Sequence, residues 1–230
     1  LMIYSRQRRT ILQGEDLKEI TSAKLLGNIP TTRMKKRSSS QALLLDNPKI
    51  TSPFKESMRL ARSRMEKALR DTYHPVLLVT SSIAGEGKTL FAVNLALGLA
   101  QKGSRVALVD GDFRHPSVAN SLGMDNIQKT LPSYLNGNCS IEDITYNYKE
   151  ELLTVFPAGE RVSNPVSLIR STQMEAFIIS LKDHYDYVII DTPPSSLLSD
   201  AAGFYQVADY AIFVVRQDYT SETQCRHALE

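Results

Sequence analysis

Beyond residue 52 the apolar positions follow two alternating rhythms. The stretch PFKESMRLARSRMEKALRD spaces Phe54, Met58, Ala61, Met65 and Leu69 by four, three, four and four residues, which makes one stripe of a helix. Glu56, Arg59, Arg62 and Arg64 occupy its other faces. After it, short continuous apolar runs alternate with helical stretches. VLLVTS (76–81), RVALVD (105–110), LLTVFPA (152–158), YVIID (187–191) and YAIFVVR (210–216) predict strands, with helices over 89 to about 102 and 166–184. Strands that lack polar alternation are buried on both faces, so the pattern predicts an α/β fold. Its sheet is doubly wound and mostly parallel, with helices on both faces. Ligands in such folds bind at the carboxyl ends of the strands.

The first 51 residues are patchier. An EDLKEITSAKLLGNIP unit precedes the basic, serine-rich TTRMKKRSSS, which reads as a flexible linker. The expected division is therefore a leading segment and linker over 1–51 and one folded domain over 52–230. With 230 residues and 42% hydrophobic content the chain can bury one sizeable core. Its net charge of +2 does not suggest a general nucleic-acid binder. Cys139 and Cys225 lie far apart without CxxC spacing, which argues against zinc and disulfide frameworks and fits a reducing cytoplasm. No run reaches the roughly 18–20 apolar residues of a membrane span. The start, LMIYSRQRRT, sets Arg6, Arg8 and Arg9 after mostly apolar residues, as at the cytoplasmic exit of a membrane helix. A solvated chain start reads the same way.

The candidate chemistry begins at SSIAGEGKTL (81–90), where a strand runs through a glycine-rich loop into a helix. The usual phosphate-loop pattern opens with glycine, and here that position is Ser82. A small residue there still permits the turn. Gly85 and Gly87 let backbone N–H groups face inward, and the start of the helix favours an anion. Lys88 is placed to reach β- and γ-phosphates, and Thr89 offers a hydroxyl to Mg²⁺.

Two further strand ends carry acids. In VDGDFRHP, Asp110 closes a strand and Asp112 follows two residues on. If the extended geometry persisted, both carboxylates and Arg114 would share one side, the carboxylates about 6–7 Å apart. Two such charges at the mouth of an apolar sheet call for a cation, although helix capping is the other use of such a pair. YDYVIIDTPP ends a strand in Asp191, the Walker B arrangement. The three strand ends together point to one magnesium–nucleotide site.

With these motifs in place, the chain from about residue 17 onward resembles the bacterial tyrosine kinases of capsular and exopolysaccharide export, whose fold is that of a P-loop NTPase. The loop from Ser82 to Thr89 is similar to their GEGKS/T form with its non-glycine entrance, with Ala84 standing where proline is usual. Residues 107–114 match their extra apolar-DxDxR motif, and PAGERVSNPVSLI (157–169) is similar to PxGxxPPNPxELL. VVRQDYT (214–220) looks like VVRxxxT, whose arginine lies near the base in the family. Glu56, Arg59 and Arg62 align with an ExxRxLRTN helix that packs on a neighbouring subunit and helps build a ring. The 15–30 segment is similar to the stretch after the second membrane helix in members fused to a polysaccharide chain-length regulator.

The resemblance implies transfer of the ATP γ-phosphoryl group to protein tyrosines, in a homo-oligomer at the cytoplasmic face of the bacterial inner membrane. Implied nucleotide contacts are Ser82, Gly85, Glu86, Gly87, Lys88, Thr89, Leu90 and Arg216. Thr89, Asp112 and Asp191 would serve Mg²⁺, and Asp110 would accept or position the tyrosine hydroxyl. The chain stops before the last expected strand and before any tyrosine cluster, as either a truncated domain or a protein without the usual tyrosine tail would. The rival readings are a partition- or division-site ATPase and a nucleotide-sensing interaction module of the export machine. Such ATPases carry a second lysine early in the loop, where this chain has Ile83.

Overall fold

A computed structural model describes residues 10–30, 40–149, 152–195 and 203–229. The arginine-rich start and most of the TTRMKKRSSS stretch lie outside the described residues. In chain order the longer elements are helix α1 (Ser52–Ala68), strand β1 (Val76–Ser81), helix α2 (Lys88–Ala100) and strand β2 (Val106–Asp110). Short helices α3 (Val118–Leu122) and α4 (Leu131–Leu135) lead to strands β3 (Tyr146–Asn147) and β4 (Leu153–Phe156). Helices α5 (Pro165–Ile169) and α6 (Thr172–Lys182), strands β5 (Tyr187–Asp191) and β6 (Tyr210–Val214), and helix α7 (Glu222–Leu229) follow.

The strands form one sheet in the order β3-β4-β2-β5-β1-β6. All neighbours are parallel except β3, which runs antiparallel to β4 at the edge. Successive strand residues feed opposite layers. Leu77, Val79, Leu108 and Ile189 pack with α1 and α2, whereas Leu78, Val109, Val188 and Ile190 pack with Phe177, Ile178 and Leu181 of α6. Burial on both sides explains the unbroken apolar runs, and each fully buried side chain of this kind contributes about 1.5–3 kcal/mol.

The two long helices beside β1 differ in what they bury. α2 lies against the sheet and is covered in turn by α1, so Phe91 to Ala100 are buried on every face. α1 forms the outer layer and buries the expected stripe of Phe54, Met58, Ala61 and Met65.

Two expectations need correction. The predicted helix over 166–184 is two helices, because Ser171 takes an extended backbone and its hydroxyl accepts the Met174 N–H at 3.1 Å, restarting the helix. The folded body also begins upstream of Ser52. Leu44 and Ile50 are buried in the α1–α2 core, and the Leu45 N–H donates to the buried Asn94 side chain at 2.8 Å. Farther upstream, Ile11 is buried and its N–H donates to the Thr220 carbonyl at 2.9 Å. Among the described residues no helix is long and apolar enough to cross a membrane.

Candidate functional site

The strand order determines what can meet. β5 lies between β2 and β1, so the ends of three adjacent strands open on one spot. Asp110 and Asp191 are register partners across β2 and β5, which puts their Cα atoms about one strand spacing of ~4.8 Å apart. The loop after β1 delivers Lys88 and Thr89 on the other side of β5. Gly85 (φ 88°) and Gly87 (φ 95°) take the left-handed backbone conformation that only glycine adopts cheaply, and Gly87 is the N-cap of α2.

Lys88 Nζ lies 2.9 Å from Asp112 Oδ2 and 3.7 Å from Asp191 Oδ1. The Thr89 hydroxyl donates to Asp191 Oδ2 at 2.6 Å and sits 3.2 Å from the Ser117 hydroxyl. Lys88, Asp110, Asp112 and Asp191 are all buried. The structure thus brings the lysine, the hydroxyl and the three acids together.

Asp110 and Asp112 do not share an extended strand face. β2 ends at Asp110, and the Asp112 N–H turns back to Asp110 Oδ1 at 3.3 Å. Asp110 Oδ2 accepts the N–H groups of Ser117 and Val118 at 3.0 and 3.1 Å, at the start of α3. Capping and membership of the charged cluster therefore coexist in this carboxylate.

One ammonium faces three carboxylates, and their protonation reflects it. Burial pushes Asp110 up to about 8, with the Asp191 charge adding to the shift and the two backbone N–H bonds opposing it. Burial also raises Asp191 to about 6, against the pull of Lys88 and Thr89. For Lys88, burial disfavours the ammonium, but Asp191 and Asp112 overcome this and its pKa rises. The site lacks positive charge.

A divalent cation fits that deficit. Asp191 Oδ1 is buried and accepts no hydrogen bond among the described residues. Among those residues no group of three or more His, Cys, Asp or Glu side chains is arranged to hold a metal. The open Asp191 oxygen suits Mg²⁺, which is usually held by one or two carboxylates together with substrate phosphates and water.

The other expected contacts make bonds within the loop and its surroundings. The buried Glu86 carboxylate accepts the Ile83 N–H at 2.7 Å, the Arg216 N–H at 3.3 Å and the Thr220 hydroxyl, so it braces the loop from within. Arg216 donates to the Gly85 carbonyl at 3.1 Å. Ser82 is buried at the loop entrance, and Leu90 packs against the core in the first turn of α2. On α1, Glu56 and Arg59 form an exposed pair, but the Arg62 guanidinium donates inward to the Gly98 carbonyl of α2. That inward bond removes Arg62 from the outward-facing set.

Sequence reading gave no role to Gly111 and Ser117, nor to Tyr219 and Thr220 within VVRQDYT. A Cβ at Gly111 would lie 2.9 Å from the Phe204 ring and 3.0 Å from the Asp191 carbonyl. The glycine lets β2 and β5 stay close where their acids project. A glycine between two aspartates was the available signal.

The AAA domain family model matches residues 76–226. The chain is 34% identical over 175 residues to the tyrosine-protein kinase YwqD of Bacillus subtilis, covering 76% of this chain and 73% of that protein. It is 36% identical over 141 residues to the tyrosine-protein kinase CpsD of Streptococcus agalactiae serotype III, covering 61% of each. The chain thus spans about three fifths of that relative's length. Among solved structures, the chimerical protein CapA2B2 superposes with a TM-score of 0.83 at 28% identity, over 94% of this chain and 91% of that one.

Proposed function

Since the chain belongs to the AAA domain family, and within it to the bacterial tyrosine-protein kinases, we propose that it transfers the γ-phosphoryl group of ATP to tyrosine. The observation that carries this reading is the convergence of Lys88, Thr89, Asp112 and Asp191 from three strand ends into one buried, cation-deficient cluster. When bound, the magnesium–ATP complex would supply an electrophilic γ-phosphorus, with the metal helping to neutralise the charge on the phosphate oxygens. Thr89, Asp112 and Asp191 would hold the metal, and Lys88 the phosphate oxygens. The N–H groups of the loop from Ser82 to Thr89 would line the phosphates.

Asp110 would accept the tyrosine proton. Among the described residues its Oδ1 takes only the 3.3 Å contact to the Asp112 N–H, which leaves that oxygen able to accept a hydrogen bond from a tyrosine hydroxyl. Protein tyrosines, including those of other copies, are the substrates. The similarity of the 15–30 segment to the stretch after a membrane helix supports a place at the cytoplasmic membrane face, beside a polysaccharide chain-length regulator. The exposed Glu56–Arg59 pair of α1 supports self-association through that face, and the family resemblance supports a ring.

The test is incubation with Mg²⁺, γ-labelled ATP and a tyrosine peptide, followed by separation of phosphotyrosine from free phosphate. Label in phosphotyrosine that disappears in Lys88→Met is the expected outcome. Label only in free phosphate would instead indicate a partition-type ATPase, and no label a nucleotide-sensing module.

A further inference from the structure

The segment after β6 folds against the phosphate loop and holds it through side chains. The Tyr219 hydroxyl donates to the Ala84 carbonyl at 3.2 Å, and Arg216 donates to the next carbonyl, that of Gly85, at 3.1 Å. The guanidinium lies 4.9 Å from the centre of the Tyr219 ring, so the two side chains act as one unit. A Cβ at Gly85 would sit 3.0 Å from the Tyr219 oxygen, so the glycine makes room for this contact. Asp218, at φ 56°, sets the turn that presents the tyrosine.

The consequence follows from peptide geometry. In a trans peptide the C=O and the next N–H point in opposite directions. Holding the Ala84 and Gly85 carbonyls on the Tyr219 side therefore aims the Gly85 and Glu86 N–H groups the other way, as an anion-binding loop requires.

Tyr219 is also accessible, with 46% of its surface exposed. Tyr73, Tyr205 and Tyr210 are exposed too, but Tyr73 and Tyr210 sit at the opposite end of the sheet, where Tyr73 stacks on His74 and the Tyr210 hydroxyl meets Thr72, and Tyr205 lies beside Thr80 of β1. Tyr219 combines exposure with a direct hold on the phosphate loop.

We propose that Tyr219 is a phosphoacceptor: a second copy of this chain transfers the ATP γ-phosphoryl group to its hydroxyl, and the modified chain binds nucleotide more weakly. This rests on the kinase reading above. The Tyr219 oxygen bonds to the γ-phosphorus while the bridging bond to the β-phosphate oxygen breaks. ADP leaves with that electron pair, and the phenolic proton passes to Asp110 of the catalysing copy. The ester oxygen then has no hydrogen to donate to Ala84. Its phosphate, carrying a charge of about −1.5 to −2, competes for the Arg216 guanidinium and repels a polyphosphate in the loop. Both carbonyls lose their hold.

The full chain is incubated with Mg²⁺, ATP and a tyrosine peptide, and phosphotyrosines are mapped by mass spectrometry. In parallel, chain made with phosphotyrosine installed at 219 is titrated with ADP and Mg²⁺ beside unmodified chain and Tyr219→Phe. The expected results are phosphate on Tyr219, ADP affinity lowered by about tenfold or more in the phosphorylated chain, and a smaller loss in Tyr219→Phe. Tyr219→Phe keeps the ring and loses only the donated hydrogen bond, so it still reads the loop-holding role if the phosphorylated chain does not fold. A labelled peptide with unmodified Tyr219 would overturn the proposal and leave the kinase reading intact, as would equal ADP affinity in all three chains. Label on neither peptide nor chain would overturn the kinase reading, and this proposal with it.

Discussion

Lys88 and Asp112 form an ion pair at 2.9 Å, and Arg59 and Glu56 form another at 2.5 Å on α1. Side chains of the first pair are 11% and 4% exposed, those of the second 59% and 63%. Attraction in the first comes with the loss of hydration of every charge in it, and Asp110 and Asp191 add two more buried acids. The second keeps its water and gains little from pairing. Equal chemistry at unequal burial thus separates a cluster organised for a bound ligand from a solvated face available to another surface.

That contrast can be broken at either end. The largest effect is expected for Lys88→Met, which should lower phosphotyrosine formation by about 10²- to 10³-fold in the labelled-ATP assay, since it removes the cation aimed at the phosphates. Retained activity would remove the buried cluster from the chemistry. Next comes Met58→Ala, which leaves a cavity between α1 and α2 and should cost about 2–4 kcal/mol in urea unfolding, with nucleotide affinity unchanged.

A third prediction uses pH. Burial raises Asp110 to about 8 and Asp191 to about 6 in the folded chain, above the ordinary 3.8 of an aspartate. The folded chain therefore binds more protons than the unfolded one between those values, and stability falls as pH rises through them. The melting temperature of nucleotide-free protein should drop by roughly several degrees between about pH 5 and pH 9. Asp110→Asn should flatten the drop, and a flat profile in the unsubstituted chain would show that these acids are not buried together. The smallest effect belongs to Glu56→Ala. Its melting temperature should match that of the unsubstituted chain, while self-association measured by light scattering weakens. A lowered melting temperature would show that the exposed pair stabilises the fold after all.

How much of this could be read from sequence depends on whether the signal is local. β1 and β5 were readable to the residue, because VLLVTS and YVIID are continuous apolar runs buried on both faces and ended by polar residues. Strand β3 has two residues and helices α3 and α4 five each, too short for any periodicity to register. The break at Ser171 was hidden because apolar residues continue on both sides of the cap. The meeting of Lys88, Thr89, Asp112 and Asp191 was legible because motif spacing ties each to the end of a strand. The contacts of Tyr219 and Thr220 were not, although VVRQDYT contained both residues, since they reach Ala84 and Glu86 across 135 and 134 residues and exist only because β6 is placed beside β1. Arg62 aligned with a motif, but helix packing turned its guanidinium to Gly98.

The central claim is that the buried acids need a metal-bound polyphosphate to balance them. Calorimetric titration of ADP into the unsubstituted chain and Asp191→Asn, with Mg²⁺ and with chelator, tests it most directly. The account predicts that chelation weakens binding about tenfold or more in the unsubstituted chain and far less in Asp191→Asn, which lacks the carboxylate assigned to the metal. Equal ADP affinity with and without Mg²⁺ in the unsubstituted chain would contradict it.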